Sequence, residues 1–417
     1  MIKDFENIFY IYSGGLIEKF SPEMRETISP KSLFKKIFKI LKITLKDILF
    51  FIRPHDTHHI GKNWIFIISN NNYESLAFLK KNSRKFSFLY PKISIDDSEK
   101  YKMMLTPIYY KYKFIYDILF PFFLLYIIVY SKKRAYFLKY FDLTFNVPGY
   151  YFESIRILKK QKPNSIIFSN DHVIVCRALL VAANSLKIKT IYIQHASVSE
   201  YFPPLEFSLS LLEGQDALDK LSKIKEIKGE VKFIGIPKFD KYINQINTRN
   251  KIRAIGIAYN TTDNIKNLQD LIFYVQMNFA YEALYVRPHP LDNRILNDID
   301  NIKISDSKIE DSFSFLNKID FLISGDSNIH LEATIMNVVS IYFKLADSNI
   351  TDYYGFVKNG LVDYVQNKDK LKDFLNSIID IKPNVVERAK YYNDVIGTDN
   401  FGKSSDLALK FIFEHIE

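Results

Sequence analysis

The sequence has almost no cysteine and lacks the common nucleotide-binding and hydrolase signatures. Cys176 is the single cysteine among 417 residues. This excludes a disulfide framework and a cysteine-based zinc site, and it favours a reducing compartment. The sequence has no Walker A loop, no GxSxG elbow, no GxGxxG after a strand and no CxxC pair. Kinase, α/β-hydrolase and standard dehydrogenase functions therefore lose most of their support.

The first residues also lack an apolar run behind a basic segment, so we expect no secretory signal and a cytoplasmic protein. Hydrophobic residues make up 47% of the chain and charged residues 25%, a balance typical of globular proteins and not of disordered ones. The length predicts two domains, since a single core rarely extends beyond roughly 250–300 residues.

Positive charge is in excess, with a formal net charge of +10. Such a balance favours an anionic partner, which could be nucleic acid, a membrane surface or an anionic substrate. The sequence contains no helix-turn-helix, zinc-finger or RNP-type aromatic motif, so we expect no nucleic-acid partner.

Two segments favour contact with a membrane surface. Residues 31–53 combine apolar side chains at helical spacing with lysines on the other side, which predicts a basic amphipathic helix. Such a helix can lie on anionic lipid or pack on its own domain. Residues 114–130 form a 17-residue apolar run interrupted by Asp117 and Pro121, so a buried or monotopic helix is favoured over a span. Together they predict peripheral association with the inner face of the cytoplasmic membrane.

Strand and helix patterns alternate along much of the chain. The first strands are predicted at residues 7–13, 64–69 and 85–90, and residues 95–150 read as mostly helical. Residues 165–168, 172–186 and 190–194 form a β-α-β pattern whose two strands should be parallel, with Asp171 capping the helix.

The alternation restarts after a polar stretch at residues 244–251. We therefore expect an α/β fold made of two Rossmann-like domains that face a central cleft. The predicted boundaries are residues 1–243 for the first domain, 252–390 for the second domain and 391–417 for a C-terminal helix.

The first chemical candidate is His195, at the carboxyl end of a predicted strand, where open α/β sheets bind their ligands. Its imidazole could act as general base on an acceptor hydroxyl, or it could simply cap the next turn. Asp171 and Glu213 are reserve candidates for the base, since both lie next to predicted strand ends in the same domain.

A second candidate region is rich in potential phosphate ligands. Arg287 and His289 can both donate to a phosphate, and Pro288 and Pro290 fix the backbone around them. The alternative is a rigid loop in which the histidine packs passively.

A third region, residues 324–332, reads as a strand, a small polar turn and a helix start. Its amides, with Gly325, Asp326 and the hydroxyl of Ser327, could bind an anion, and Glu332 could accept both ribose hydroxyls. The alternative is an ordinary N-cap.

Residues 53–59 concentrate three histidines, but no helical histidine pair with a nearby glutamate is evident, and we expect no metal site.

The order of these motifs resembles one known group. A strand ending in QHAS (194–197), then IGIPKFD (234–240), RPHP (287–290) and SGDSNIHLEA (324–333), is similar to the CDP-glycerol glycerophosphotransferase superfamily and related bacterial capsule and lipopolysaccharide glycosyltransferases. Bacterial sialyl- and polysialyltransferases are more distantly similar. The resemblance covers roughly residues 165–345 and leaves residues 1–150 without a match.

The resemblance implies a GT-B fold, with the acceptor on the first domain, the donor on the second and a final helix that crosses back. It implies that His195 is the catalytic histidine, that His289 beside Arg287 binds the donor phosphate, and that Ser327 and Glu332 fill the phosphate and acidic positions. The sequence departs from the group at Ala196, Lys238 and Asp326, where the group has Gly, Arg and Ser. These departures leave the chemical identity of the donor open.

The resulting expectation is an inverting glycosyltransferase of capsule or lipopolysaccharide synthesis. It would need neither a cofactor nor a metal, and it would use a nucleotide-activated donor, in the first instance a cytidine-nucleotide sugar, and a glycan or lipid-linked glycan acceptor. Three alternatives remain: a polyol-phosphate transferase, a non-catalytic membrane-associated scaffold, and a nucleotide-sugar 2-epimerase.

Overall fold

The computed structural model describes residues 1–13, 15–20, 22–53, 60–82, 84–92, 105–294, 296, 299–347 and 352–417. The strands are β1 (Asn63–Phe66), β2 (Ser87–Lys92), β3 (Thr106–Tyr109), β4 (Ser165–Phe168), β5 (Lys189–Ile193), β6 (Leu209–Leu212), β7 (Glu230–Phe233), β8 (Ala254–Tyr259), β9 (Ala283–Pro288), β10 (Lys303–Ile304), β11 (Phe321–Ser324), β12 (Val339–Phe343) and β13 (Asp363–Val365).

The helices before the second sheet are α1 (Ile2–Ile8), α2 (Tyr10–Ser13), α3 (Leu16–Lys19), α4 (Pro22–Ile28), α5 (Leu33–Ile52), α6 (Asn70–Ser75), α7 (Lys113–Ile118), α8 (Phe120–Tyr130), α9 (Arg134–Lys139), α10 (Phe141–Thr144), α11 (Asn146–Gln161), α12 (Ile174–Ser185) and α13 (Gln215–Ile224). The later helices are α14 (Ile265–Asn278), α15 (Ser312–Leu316), α16 (Ile329–Ile335), α17 (Lys368–Ile378) and α18 (Ser404–Ile416).

The strands form two parallel sheets. The first has the order β3-β2-β1-β4-β5-β6-β7 and the second the order β10-β9-β8-β11-β12-β13. Parallel strands need crossover connections, and central strands such as β4 and β8 are buried on both sides, which allows helices to cover both faces. The α/β architecture with two Rossmann-like sheets, predicted from the sequence, is thereby confirmed.

Each sheet has a buried core on both of its faces. In the first sheet Trp64 and Phe66 point into one apolar cluster, whereas Ile65 and Ile67 point into the other. Alternate residues of a strand face opposite sides, so short continuous apolar runs such as β4 are what a doubly covered sheet requires. The strand order reverses between β1 and β4 and again between β8 and β11, which creates one crevice at each sheet.

The last helix returns to the first sheet. Ala408 and Ile412 of α18 are buried with Ile65 and Ile191. The helix begins under Asp240, whose carboxylate accepts from the backbone N–H groups of residues 404 (2.9 Å) and 405 (2.6 Å). The expected crossing back of the C-terminal helix is confirmed, and the aspartate of the IGIPKFD segment has a structural role as its cap.

The strand predicted at residues 7–13 is wrong, because this segment is helical. Phe5, Ile8 and Phe9 are fully buried on the first core, at the spacing of one helix face. The predicted cap at Asp171 is also wrong. The side-chain oxygen of Asn170 accepts from the backbone N–H groups at the start of this turn, and the helix itself begins at Ile174.

The segment 105–150 contains one strand, β3, that the sequence pattern did not reveal, followed by helices. The short strands β10 and β13 and helix α17 were missed as well. Within the described residues, no helix is both long and apolar enough to cross a bilayer.

Candidate active site

A cleft of about 1640 Å³ lies where the two sheets face each other. Both crevices open into it: Ser69 follows β1 at the reversal of the first sheet, and Asn260 and Ser327 follow β8 and β11 at the reversal of the second. Ligands of open α/β sheets bind at such points, beyond the carboxyl ends of the strands. The two halves of the chain therefore share one binding cleft.

The cleft gathers most of the residues that the sequence singled out. Those that line it are His195, Arg287, Pro288, His289, Asp326, Ser327 and Glu332. The other three candidates, Asp171, Glu213 and Gly325, are not among the cleft-lining residues that the structure describes.

His195 contributes an imidazole that is neutral at pH 7. Its pKa is lowered to about 4, chiefly by burial and also by the nearby His172 and Lys238, while the backbone of Ser169 acts in the opposite direction. Its Nδ1 is buried and has no hydrogen-bond partner among the described residues. His195 lines the cleft, and a neutral imidazole at such a position is what a general base requires.

Arg287 is held rigidly at the cleft wall. Its guanidinium donates to the hydroxyl of Ser305 (2.7 Å) and to the carbonyl of Glu310 (2.8 Å), and it lies 5.4 Å from the centre of the Phe315 ring. Because two of its N–H groups are already hydrogen-bonded, the planar guanidinium holds its remaining N–H groups in a fixed position. Such a group can bind phosphate at little cost in side-chain entropy.

His289 has a defined tautomer. The backbone N–H of Leu291 donates to its Nδ1 (3.2 Å), so in the neutral ring the proton is on Nε2. Its own backbone N–H donates to the carbonyl of Tyr259 (2.9 Å), which fixes the loop against β8. Burial lowers the pKa of His289. The ring thus offers one N–H donor to a ligand in the cleft.

The turn after β11 is built differently from the sequence expectation. The carboxylate of Asp326 accepts from the Tyr342 hydroxyl (2.9 Å) and the Tyr353 backbone N–H (2.6 Å), so it shapes the turn and is a poor partner for phosphate. Gly325 lies close to Asp263, whose Oδ1 would be 3.2 Å from an added Cβ. Ser327 lines the cleft, and its hydroxyl, which accepts from the Ile329 backbone N–H (3.4 Å), can still donate its own proton to phosphate.

The N-cap residue of helix α16, Asn328, makes no side-chain hydrogen bond to the helix backbone, whereas the Ser327 hydroxyl accepts from the backbone N–H of Ile329 (3.4 Å). The Asn328 side chain instead accepts from the backbone N–H of Ser197 (3.0 Å), which joins the turn of the second sheet to the loop that carries His195. This bond sets the distance between the two halves of the site. The sequence motif at residues 324–333 contains Asn328, but sequence reasoning had given it no role.

Glu332 is paired with Lys238. The Lys238 ammonium is 3.3 Å from a Glu332 carboxylate oxygen and 3.5 Å from the Ser312 hydroxyl, and both residues line the cleft. The pairing raises the pKa of Lys238 against the effect of burial. Lys238, which stands where the similar transferases have arginine, thus carries a positive charge in the cleft. The second carboxylate oxygen of Glu332 remains available to a ligand.

Glu213 and Asp171 are buried behind the cleft. The pKa of Glu213 is raised to about 8, chiefly by burial and then by the carboxylate of Glu332. The carboxylate of Asp171 is 3.1 Å from the buried guanidinium of Arg177. A carboxylate committed to a buried ion pair cannot move to a substrate, and Glu213 lies behind His195 on the next strand end.

Sequence reasoning missed one wall of the cleft. Asn70, Asn71, Glu74 and Lys81 follow β1 and line the side that belongs to the first sheet. The signal was present, since a strand ending in polar residues is the pattern that selected His195.

The described residues contain no group of His, Cys, Asp and Glu placed to hold a metal ion. The three histidines at positions 55, 58 and 59 lie outside the described residues.

No family model and no curated protein matches this sequence. Solved structures do resemble it. The glycosyltransferase of kitacinnamycin has a TM-score of 0.56 at 11% identity, over 86% of this chain and 100% of its own. MnaA of S. aureus with UDP has a TM-score of 0.54 at 14% identity, over 86% of this chain and 97% of its own.

The wall teichoic acid polymerase TagF soaked with CDPG has a TM-score of 0.52 at 12% identity, over 92% of this chain and 97% of its own. At such identities a likeness establishes the fold. The chain therefore has the GT-B fold, with two facing Rossmann-like sheets, that its motifs predicted.

Proposed function

We propose that this protein is a glycosyltransferase that moves a sugar from a nucleotide-activated donor to a hydroxyl acceptor. The observation that carries the proposal is the cleft itself. It places the neutral imidazole of His195, from the first sheet, across from Arg287, His289 and Ser327, from the second. A base on one side and phosphate ligands on the other are the two parts that an inverting transfer needs.

In the proposed reaction the acceptor oxygen attacks the anomeric carbon while the bond from that carbon to the donor phosphate breaks. The acceptor proton passes to His195, and the nucleotide leaves with the bonding electrons. Arg287, the Nε2–H of His289 and the Ser327 hydroxyl stabilise the charge that develops on the phosphate. Since these groups supply the compensating charge, the proposed transfer needs no metal ion or cofactor.

The phosphates also prepare the base. Because burial holds the pKa of His195 near 4 in the free protein, the imidazole is a weak base on its own. An anionic donor bound nearby favours the imidazolium and raises that pKa. Donor binding would therefore make His195 a stronger base at the moment when the acceptor hydroxyl must be deprotonated.

For the donor we propose a cytidine nucleotide, supported by the resemblance of the motifs and by the CDPG soaked into the similar TagF structure. The ribose would bind at Glu332, whose second oxygen is free of Lys238. The TagF likeness equally favours a polyol-phosphate donor as the second candidate, since the same phosphate ligands would serve it.

For the acceptor we propose a growing or lipid-linked surface glycan of the capsule or lipopolysaccharide type. The wall of the cleft formed by Asn70, Asn71 and Glu74 offers amide and carboxylate groups that suit sugar hydroxyls. A lipid-linked acceptor requires an enzyme that works at the inner face of the cytoplasmic membrane.

Calorimetric titration of the purified protein with CMP, CDP and UDP, with and without EDTA, tests the donor site. We expect cytidine nucleotides to bind, EDTA to have no effect, and His289→Ala to weaken binding about 10- to 100-fold through loss of one charge-assisted hydrogen bond. His415→Ala is the matched control, because this histidine contacts Ser208 on the other side of the first sheet. Absence of any nucleotide binding would overturn the proposal in favour of a scaffold.

Incubation of the donor with and without acceptor separates the enzyme classes. A transferase releases free nucleotide faster with acceptor present, and His195→Ala abolishes the increase. Interconversion of free nucleotide sugars without acceptor would instead identify an epimerase. Release of a cytidine monophosphate from a CDP-polyol would identify the polyol-phosphate transferase.

A further inference from the structure

Helix α5 presents its apolar side chains to solvent. Exposed fractions along this side are Phe34 77%, Leu41 61%, Leu45 58% and Ile52 69%. A helix on the surface of a globular protein ordinarily turns such a stripe toward the core. Large exposed apolar patches mark sites that another surface covers.

The polar side of α5 faces the protein and is fixed there. Asp47 of α5 is buried 2.6 Å from the ammonium of Lys113 on α7. Lys36 and Lys39 of α5 lie 3.3 Å and 2.9 Å from the fully buried carboxylate of Asp142. Turning the apolar stripe inward would leave these charges unpaired, so the outward orientation is built into the fold.

The stripe is flanked by a row of lysines. Lys35, Lys42 and Lys46 are exposed and fall within roughly 40° of one another around the helix, beside the apolar stripe, at 100° per residue. The acidic residue of α5, Asp47, is buried, so the exposed side of this helix carries positive charge alone. Lysines at the edge of an apolar stripe can reach anionic headgroups while their stems cover apolar surface.

The apolar surface continues onto the next helices. Phe51 of α5 contacts Phe114 of α7, with ring centres 4.9 Å apart, and α7 leads directly into α8. Helix α8 has no charged residue and exposes Phe122 (71%) and Val129 (67%). Exposed Lys132 and Arg134 follow it.

We propose that α5, α7 and α8 form a docking surface for an anionic phospholipid bilayer, with α5 and α8 lying in the interface and not crossing it. Charge complementarity favours a bilayer over a second copy of the chain. A lysine row beside an apolar stripe complements negative headgroups, whereas a second copy would bring like charges together. The surface stands on these helices alone and does not depend on the transferase activity. If that activity holds, docking brings the cleft to a lipid-linked acceptor.

Co-sedimentation of the full chain with vesicles tests the surface. We expect binding to vesicles that contain phosphatidylglycerol, little binding to pure phosphatidylcholine, and release by salt. Leu41→Glu combined with Leu45→Glu should lower the partition coefficient at least tenfold. The matched control combines Phe273→Glu with Met277→Glu, which are exposed at the same spacing on α14 and should change nothing.

A second variant tests the charge. Replacement of Lys35, Lys42 and Lys46 by glutamine should weaken binding about fivefold for each lysine at low salt. The melting temperature of every variant, followed by circular dichroism, serves as the measure of folding and does not require nucleotide binding, so a failed transferase and a failed docking surface remain distinguishable. Failure of the wild-type protein to bind anionic vesicles would overturn the proposal. A dimer in solution that Leu41→Glu with Leu45→Glu dissociates would overturn it in favour of a second copy.

Discussion

Replacement of Glu213 by glutamine should stabilise the protein, and increasingly so as the pH rises from 5 to 8. The Glu213 carboxyl is buried beside the side-chain amide of Gln194 (3.3 Å), and its pKa is raised from 4.5 to about 8, first by burial and then by Glu332. A raised pKa means that stability is fully present below pH 4.5 and is lost as the pH rises through 8. At roughly 1.4 kcal/mol per pH unit, the loss at pH 7 is about 3 kcal/mol.

Glutamine keeps the shape of the side chain and still accepts from Gln194, but it does not ionise. The melting temperature of the variant and of the wild type should therefore nearly coincide at pH 5 and differ by several degrees at pH 8, at about 2–4 °C per kcal/mol for a domain of this size. Thermal melts followed by circular dichroism across this range measure the difference.

The same variant decides whether Glu213 takes part in the reaction. With His195 as the base, Glu213→Gln should retain transferase activity, whereas loss of a general base would cost about 10²- to 10⁴-fold. A difference in melting temperature that is constant with pH would refute the raised pKa. Loss of activity in a stable variant would refute the assignment of the base to His195.

Three further outcomes are expected. Nucleotide affinity should rise as the pH falls from 7.5 toward 5.5, because a bound phosphate raises the pKa of His289, and calorimetry should show this dependence lost in His289→Ala. Lys238→Met should lower nucleotide affinity at least tenfold by leaving the Glu332 carboxylate unpaired near the phosphates, while Lys238→Arg should nearly restore it in the same titration. Gly235→Ala should lower the free energy of unfolding, measured with denaturant, by about 3 kcal/mol or more, since the φ of Gly235 is +72° and an added Cβ would overlap surrounding side chains. Gly360→Ala is the control: its φ is +74°, but the added Cβ would lie in open space, so the loss should be only about 1 kcal/mol.

Local sequence patterns predicted the structure well where strands and helices alternate with short connections. The strand at residues 165–168 lies where the apolar run placed it, since a doubly covered sheet leaves a continuous apolar signature. The strand predicted at residues 7–13 was wrong because aromatic and β-branched residues there are compatible with both the helical and the strand period. Only the burial of Phe5 and Phe9 against α12 and its neighbours selects the helix.

The candidate site was predictable to the extent that it follows strand ends. His195, His289 and Ser327 were found because a strand end in a parallel sheet points to the ligand edge. Asn328 and Lys238 were given no role, because their roles depend on partners 131 and 94 residues away in the chain. The wall at Asn70 was overlooked although it too follows a strand end.

The sequence by itself determined the two α/β sheets, the motif order that placed the candidate base before the candidate phosphate ligands, and the amphipathic character of α5, because periodicity and strand ends are local properties. The tertiary structure decided which carboxylates remain available: Asp171 is committed to Arg177, Asp326 to two tyrosines, and Glu213 is buried. It also decided that the apolar side of α5 faces outward. Exposure, pairing and pKa are set by long-range packing and desolvation, which no short stretch of sequence contains.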